Sequence, residues 1–448
     1  MLEILIDKNQ QERQIALVDN KKLVEYYIDE EKSTRKEGNI YIGIVRNIIK
    51  GMQSAFVDIG TEKNSFIHLK DILEKVDEKN QQTNKQSENK KIDISNVIKE
   101  GQKILVQVKK DSNLQKGARV STHINLPSKY IALMPNTNII TISQKIEDKK
   151  EQERLIKLVK ENLSQGNGAI IRTSAVGKEQ EIIEDIKNTE KRWNNIEKTY
   201  KNNTGKMPKL IEKAQNIVEK MIIDLPENSI QKITVNSKKD FDKLQKFKNQ
   251  NNYLENMSIE LKENEDTLDK YDIKKEILKI ENRKIWLKCG GFIAIDRTEA
   301  LTAIDVNTGK YTGSKNPEQT IFKVNEEATI EIAKQLRLRD IGGIIIIDYI
   351  DMKDEKDKEK IETLLKEKLK NDRTKTQVEG FTKLDLMEMT RKHICSHKEW
   401  TNGDVVKLVH NIITINKIKK WTNLTTSPLV HLLINGGKNE RRIYITRM

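Results

Sequence analysis

At 448 residues the chain is long enough for two to four domains of roughly 150 residues each, so size sets no barrier to burying stable cores. Lys and Arg total 82 against 68 Asp and Glu, and the formal charge of +14 is spread along the chain; it suits a polyanion partner and equally a Lys-, Asn- and Ile-rich composition without one. Two cysteines without CxxC spacing exclude a disulfide framework and a cysteine zinc site, and with no basic-then-apolar leader and no apolar run near about 18 residues the expectation is a cytoplasmic chain that enters no membrane.

Residues 1–30 carry two alternating runs, MLEILID and QIALVD, which predict an antiparallel hairpin. GNIYIGIVRNII, SAFVDIG, NSFIHL and the later GQKILVQVKK are short β-type runs divided by turn residues, the pattern of a small barrel. Between them EKVDEKNQQTNKQSENKKID has almost no apolar content and is expected to be a loop. From 127 to 208 the pattern predicts a strand pair around KYIALMP and ITISQ, a helix near 148–164, a strand in NGAIIRTSAVG and a second long helix. Residues 209–285 hold mixed elements with a very polar stretch around 236–275.

Residues 286–350 are the most legible: strands IWLKCGGFIAID and ALTAIDVN, a helix from about 318 to 338, then the strand IGGIIIIDYID. The helix has Asn316 as cap candidate, Pro317 at its first position, and Ile321, Val324, Ala328, Ile332 and Leu336 along one face. A strand, helix and parallel strand in series cross over right-handed, which brings both strand C-termini to one edge of the sheet. Asp305 follows ALTAI and Asp348 follows IIII, so both carboxylates leave rigid strands at that edge, placed to share one hard cation. Magnesium is the natural candidate, since it takes one or two carboxylates together with waters and a substrate phosphate. Asn307, two residues past Asp305 and on the same strand face, is placed to hold a carboxylate or the scissile phosphate. Strand-terminal aspartates also cap turns and helices, and spacing alone leaves that reading open. Asp296 and Asp351 lie near the same edge and read as solvated or capping carboxylates.

The runs EALTAIDVNTGKYTG, NEEATIEIAKQLRLRDIGGIIIIDYIDM and FTKLDLMEMTRK closely resemble the catalytic core of the ribonuclease E/G family. The resemblance implies that Asp305 and Asp348 coordinate Mg2+ and that Asn307 assists them. GNIYIGIVRNIIKGMQSAFVDIGTEKNSFIHL resembles the family's OB-fold RNA-binding domain, which implies RNA contacts from Phe56, Phe66 and, in QKGARVSTHI, Lys116. Residue type alone leaves core packing open for the phenylalanines and a solvated charge open for the lysine. AIIRTSAVGK resembles the family's sensor for a 5′-monophosphate, which implies that Arg172 and Thr173 grip a terminal phosphate. Ser128, Ala132 and Gln144 depart from the Gly, Val and Arg usual around that pocket. After TRK the family continues to CPxCxG, whose cysteines share zinc between subunits; here Cys395 has only His393 and His397 nearby, so any homo-oligomer is expected to form without that link. Asp385 replaces a glycine common in the family, which predicts an altered turn near the active site.

The resemblance implies a multi-domain α/β layout. An RNase H-like domain is built from residues 1–35 and 209–285. Inserted in it are an OB-fold barrel (36–126, with the polar insertion at about 74–99) and the 5′-phosphate sensor domain (127–208). A DNase I-like catalytic domain (286–400) and a short C-terminal region (401–448) follow. The implied function is a magnesium-dependent endoribonuclease cutting single-stranded RNA, with preference for 5′-monophosphorylated substrates, in ribosomal and transfer RNA processing and messenger decay. The alternatives are a non-catalytic RNA-binding factor that keeps the barrel, and a magnesium phosphodiesterase acting on DNA.

Overall fold

In the computed structural model the described residues run from 1 to 394, except 10–11, 31–34, 73–92, 113–115, 206, 264, 281, 311–316 and 371. Most of the polar insertion, Asn316, Cys395 and His397 lie outside them, and so does all of 395–448.

Four sheets organise these residues. In the first, Leu2–Lys8 and Glu12–Asp19 form the predicted antiparallel hairpin, and Lys22–Glu30 adds a third strand. That third strand escapes alternation because Glu25 is buried in it beside Tyr26 and Tyr27, its carboxylate paired with Arg373. The hairpin's first strand also pairs in parallel with Ile230–Val235, which pairs in turn with Ser258–Leu261. One sheet thus unites strands from both ends of a long intervening segment.

The second sheet closes on itself. Ile40–Ile49, Ser54–Asp58, Ser65–His68, Arg119–Ser121 and Lys103–Lys110 pair in that order, and the last returns to the first, which makes a five-stranded barrel. Lys209–Glu212 adds to the outer side of Ile40–Ile49. Ile94–Val97 is a helical turn whose Ile94, with Ile98, enters the barrel core, so the chain regains structure before the expected end of the polar loop.

In the third sheet the two strands predicted to pair, Ile131–Met134 and Ile140–Ile142, do not touch. Gly168–Ile171 runs between them, antiparallel to one and parallel to the other. Helices Lys149–Asn162 and Gln180–Asn202 cover it through Leu155, Val159, Ile182, Ile186 and Trp193.

The fourth sheet has the order Lys284–Trp286, Phe292–Arg297, Leu301–Asn307, Gly343–Asp348, Leu386–Arg391 and Thr376–Phe381. The run IWLKCGGFIAID is two antiparallel strands rather than one, folded at a turn where Gly290 has φ +96°. Helix Pro317–Leu338 starts at the predicted proline and buries Val324, Ala328, Ile332 and Leu336 against Ile304, Val306, Ile345 and Ile347. Helix Glu355–Leu369 covers the same face. No described helix is long and apolar enough to cross a membrane.

Candidate active site

Leu301–Asn307 alternates, with Thr302, Ile304 and Val306 buried under the helices, so Ala303, Asp305 and Asn307 project from the opposite face. Gly343–Asp348 does the same: Ile345 and Ile347 point into the core and Asp348 points away. The two strands are parallel, and Asp305 and Asp348 are direct Cα partners. Neighbouring strands lie about 4.8 Å apart, so the two carboxylates stand side by side on the open face. The Asn307 amide donates a 2.7 Å hydrogen bond to Asp305 Oδ2 and fixes that carboxylate.

Burial, followed by the charges of Asp305 and Asp351, raises the pKa of Asp348. The charge crowding at Asp348 is of a kind a divalent cation would relieve. Among the described residues no cluster of three or more His, Cys, Asp and Glu is gathered as for an all-protein metal cage. Two carboxylates and open solvent match the way magnesium is held and are a poor match for structural zinc. Asp296 is engaged elsewhere, by a two-point ion pair with Arg283 at 2.5 and 2.6 Å.

One residue that sequence reasoning missed fixes the chain beyond Asp348. Asn325, fully buried on the covering helix, donates to the Ile350 carbonyl at 2.8 Å and accepts from the Ile350 amide at 3.1 Å. Beside it the Thr329 hydroxyl lies 2.9 Å from the buried Tyr349 hydroxyl. Its sequence signal was an asparagine at an inward position of an otherwise apolar helix face. At Asp385 the φ is +57°, so the aspartate keeps a left-handed turn of the kind glycine favours, and its carboxylate pairs with Lys358 at 2.6 Å.

On the barrel, Ala55, Val57 and Ile67 fill the core, while Phe56 and Phe66 occupy the alternate, outward positions. They are direct cross-strand partners, with rings 6.4 Å apart edge to face. Core packing, left open by residue type, is thereby excluded. Exposed Lys116 is brought beside the Phe66 strand by Gly117, where a Cβ would fall 1.9 Å from the Asn64 carbonyl.

Arg172 follows the strand Gly168–Ile171, and Thr173 is exposed next to it. The Arg172 guanidinium donates to the Ser128 carbonyl at 3.0 Å and pairs with the Asp224 carboxylate, which also faces Arg373 at 3.5 Å. Asp224 is far away in sequence, so nothing in the motif around Arg172 reveals it. Any anion reaching Arg172 must share or displace that carboxylate. The turn around Ser128 is held from behind by buried Asp185, which accepts from the Tyr130 and Ile131 amides at 2.9 and 3.2 Å. Ala132 is buried and Gln144 exposed.

Comparison with known proteins places the chain among its relatives. Residues 125–394 match the family described as "Ribonuclease E/G family". Ribonuclease G of Salmonella typhimurium (strain SL1344) is 38% identical over 399 residues, covering 87% of this chain and 79% of that protein. Ribonuclease G of Escherichia coli (strain K12) is 38% identical over 394 residues with the same coverage. A putative ribonuclease E of Buchnera aphidicola subsp. Baizongia pistaciae is 38% identical over 386 residues, 84% of this chain and 92% of that protein. On the extent of these matches, the chain belongs to the ribonuclease E/G family.

Proposed function

We propose that the chain is a magnesium-dependent endoribonuclease that hydrolyses internal phosphodiesters of single-stranded RNA. The observation that carries this is the in-register pair Asp305 and Asp348 on an open sheet face, with Asn307 bonded to the first. The ribonuclease names of relatives matched over most of this chain support RNA as the substrate.

The two carboxylates would hold the ion, Asn307 orients Asp305, and Asn325 keeps the backbone after Asp348 from shifting. A bound magnesium ion supplies Lewis acidity and neutralises charge that develops on the phosphate. One water adds across the P–O3′ bond: its oxygen ends on phosphorus, leaving a 5′-phosphate, and O3′ leaves with a proton as hydroxyl. We read the barrel as an OB-fold in which Phe56, Phe66 and Lys116 take bases and backbone, and Arg172 with Thr173 as a site for a 5′-terminal phosphate. The sheet of residues 2–30, 230–235 and 258–261 is read as RNase H-like, and the fourth sheet with its helices as DNase I-like. Processing of ribosomal and transfer RNA and messenger decay, in the cytoplasm, are the roles this reading assigns.

A labelled single-stranded RNA, its DNA twin, and versions with a 5′-monophosphate or a 5′-hydroxyl test the reading in one assay. RNA is expected to be cut only with magnesium, DNA not at all, and the monophosphate form faster. Cleavage in excess chelator, or equal cutting of DNA, would overturn the assignment; equal rates for the two 5′ ends would remove only Arg172 and Thr173.

For the barrel, Phe56→Ala and Phe66→Ala are each expected to weaken RNA binding by about 1–3 kcal/mol while lowering the unfolding midpoint only slightly, because neither ring is part of the core and only their mutual contact is lost. Anisotropy titration alongside thermal melting checks this; a loss of stability without a loss of affinity would count against it.

A further inference from the structure

The open face of the fourth sheet carries an aromatic pair that the reading above leaves unused. Trp286 and Phe292 are cross-strand partners, and Phe292 is in turn the partner of Asn307, so all three stand in one row across three strands. In the next row Lys284, Ala294, Asp305 and Asp348 are partners across four strands. Partnered residues project from the same face, so the aromatic pair and the carboxylate pair share one surface. Trp286 lies two strand spacings, about 10 Å, from Asn307.

Trp286 keeps 55% of its surface exposed, although a tryptophan of a monomeric surface is ordinarily covered. Its orientation is nevertheless fixed. The Phe292 ring meets it edge to face at 5.4 Å. Lys284 places its ammonium 4.7 Å from the Trp286 ring centre and 3.4 Å from that of Phe292. The chain leaving the Asp305 strand passes beside both rings at Gly309, φ +59°, where a Cβ would fall 3.2 Å from Phe292, 3.3 Å from Trp286 and 2.5 Å from the Gly290 carbonyl. A rigid, half-exposed indole with a cation against it matches a nucleobase and its phosphate: the base stacks on the ring and the ammonium answers the negative backbone.

We propose that Trp286, supported by Phe292, is a stacking subsite for the base of a nucleotide flanking the scissile phosphodiester, with Lys284 facing that nucleotide's phosphate. The assignment rests on Asp305 and Asp348 being the cleavage centre. Stacking accepts any base, so the subsite sets the position of the strand and not its sequence.

The test uses the full chain and a single-stranded oligoribonucleotide with one defined cleavage position. An abasic residue is moved through the positions on either side of it. In the wild type one flanking position is expected to be sensitive, its abasic form cut about 5- to 150-fold more slowly in kcat/KM. Trp286→Ala is expected to lose a similar factor on the intact RNA and to lose nothing further with that abasic substrate; Trp286→Phe retains most of the activity. A merely structural role for Trp286 would make the two losses multiply, and that result overturns the subsite, as does a wild type insensitive to every flanking abasic position even if the variants misfold. Dissociation of an oligomer by Trp286→Ala in sedimentation, with cleavage per subunit unchanged, would assign the face to a second copy instead. If the wild type cuts no RNA at all, it is the cleavage centre that fails.

Discussion

Asp305→Asn and Asp348→Asn are each expected to slow single-turnover cleavage of single-stranded RNA by on the order of 10³-fold while leaving RNA affinity within a few-fold. Asn keeps the size of the side chain and removes the charge proposed to hold the ion. Affinity survives because the surfaces proposed to grip RNA, around Phe56 and Phe66 and at Arg172, are built on other sheets. Folding survives as well: both side chains face outward, and the Asp305 and Asp348 charges oppose each other in the absence of a cation. Rates within tenfold of wild type in both variants would remove the metal pair from the mechanism.

The second large effect concerns stability. Arg391, on the strand next to Asp348's, is fully buried between Asp340 and Asp372, with bonds of 2.9 Å to Asp340 Oδ1, 2.7 Å to Asp372 Oδ2 and 2.8 Å to the Ile341 carbonyl. Arg391→Met leaves two carboxylates in the interior without their counter-charge, which is expected to cost about 3–5 kcal/mol, read as a lower urea midpoint. Arg391→Lys should recover only part of it, because an ammonium cannot present the guanidinium fork to both carboxylates. The triad also sets a pH limit. Burial works against ionisation of Asp372, but the Arg391 guanidinium outweighs it and leaves the carboxyl below its usual range. A depressed carboxylate pKa stabilises the fold at neutral pH, and that stabilisation drains away once pH falls below about 4. In Arg391→Met that acid-side loss should disappear, and the deficit relative to wild type should shrink as falling pH protonates the stranded carboxylates; an unchanged midpoint and profile would show that the triad contributes nothing.

The Asp305 and Asp348 pair was legible because two apolar runs, ALTAI and IIII, each end in an aspartate on either side of one amphipathic helix. Strand, helix and parallel strand admit few geometries, and the two strands are parallel neighbours with the aspartates in register. Elements whose partners lie far away in sequence were less legible. Arg119–Ser121 closes the barrel with three residues, too few to show a period. Lys22–Glu30 hides behind the buried Glu25, whose partner Arg373 lies in the last third of the chain. The strands around 131 and 140 were both found, but their separation by Gly168–Ile171 depends on a pairing that local pattern does not encode. Among the site residues, Asn307 was readable by its offset from Asp305. Asn325 and Asp224 were not, since each acts on a residue from another element. Trp286 sat inside a run read as one strand, and only the fold at Gly290 turns it toward Asn307's row.

The first sheet has a consequence for how the protein is made. Its opening strand, Leu2–Lys8, pairs on one side with residues that follow at once and on the other with Ile230–Val235. At ribosomal speeds of about 5–20 residues per second, the second partner emerges roughly 10–45 s after the first. The barrel and its neighbouring α/β unit are complete in the meantime, while LEILIDK waits with one row of amides and carbonyls unpaired. The nascent chain is most exposed to mispairing along this strand, and slower translation of the segment between its two partners should lengthen that interval in proportion.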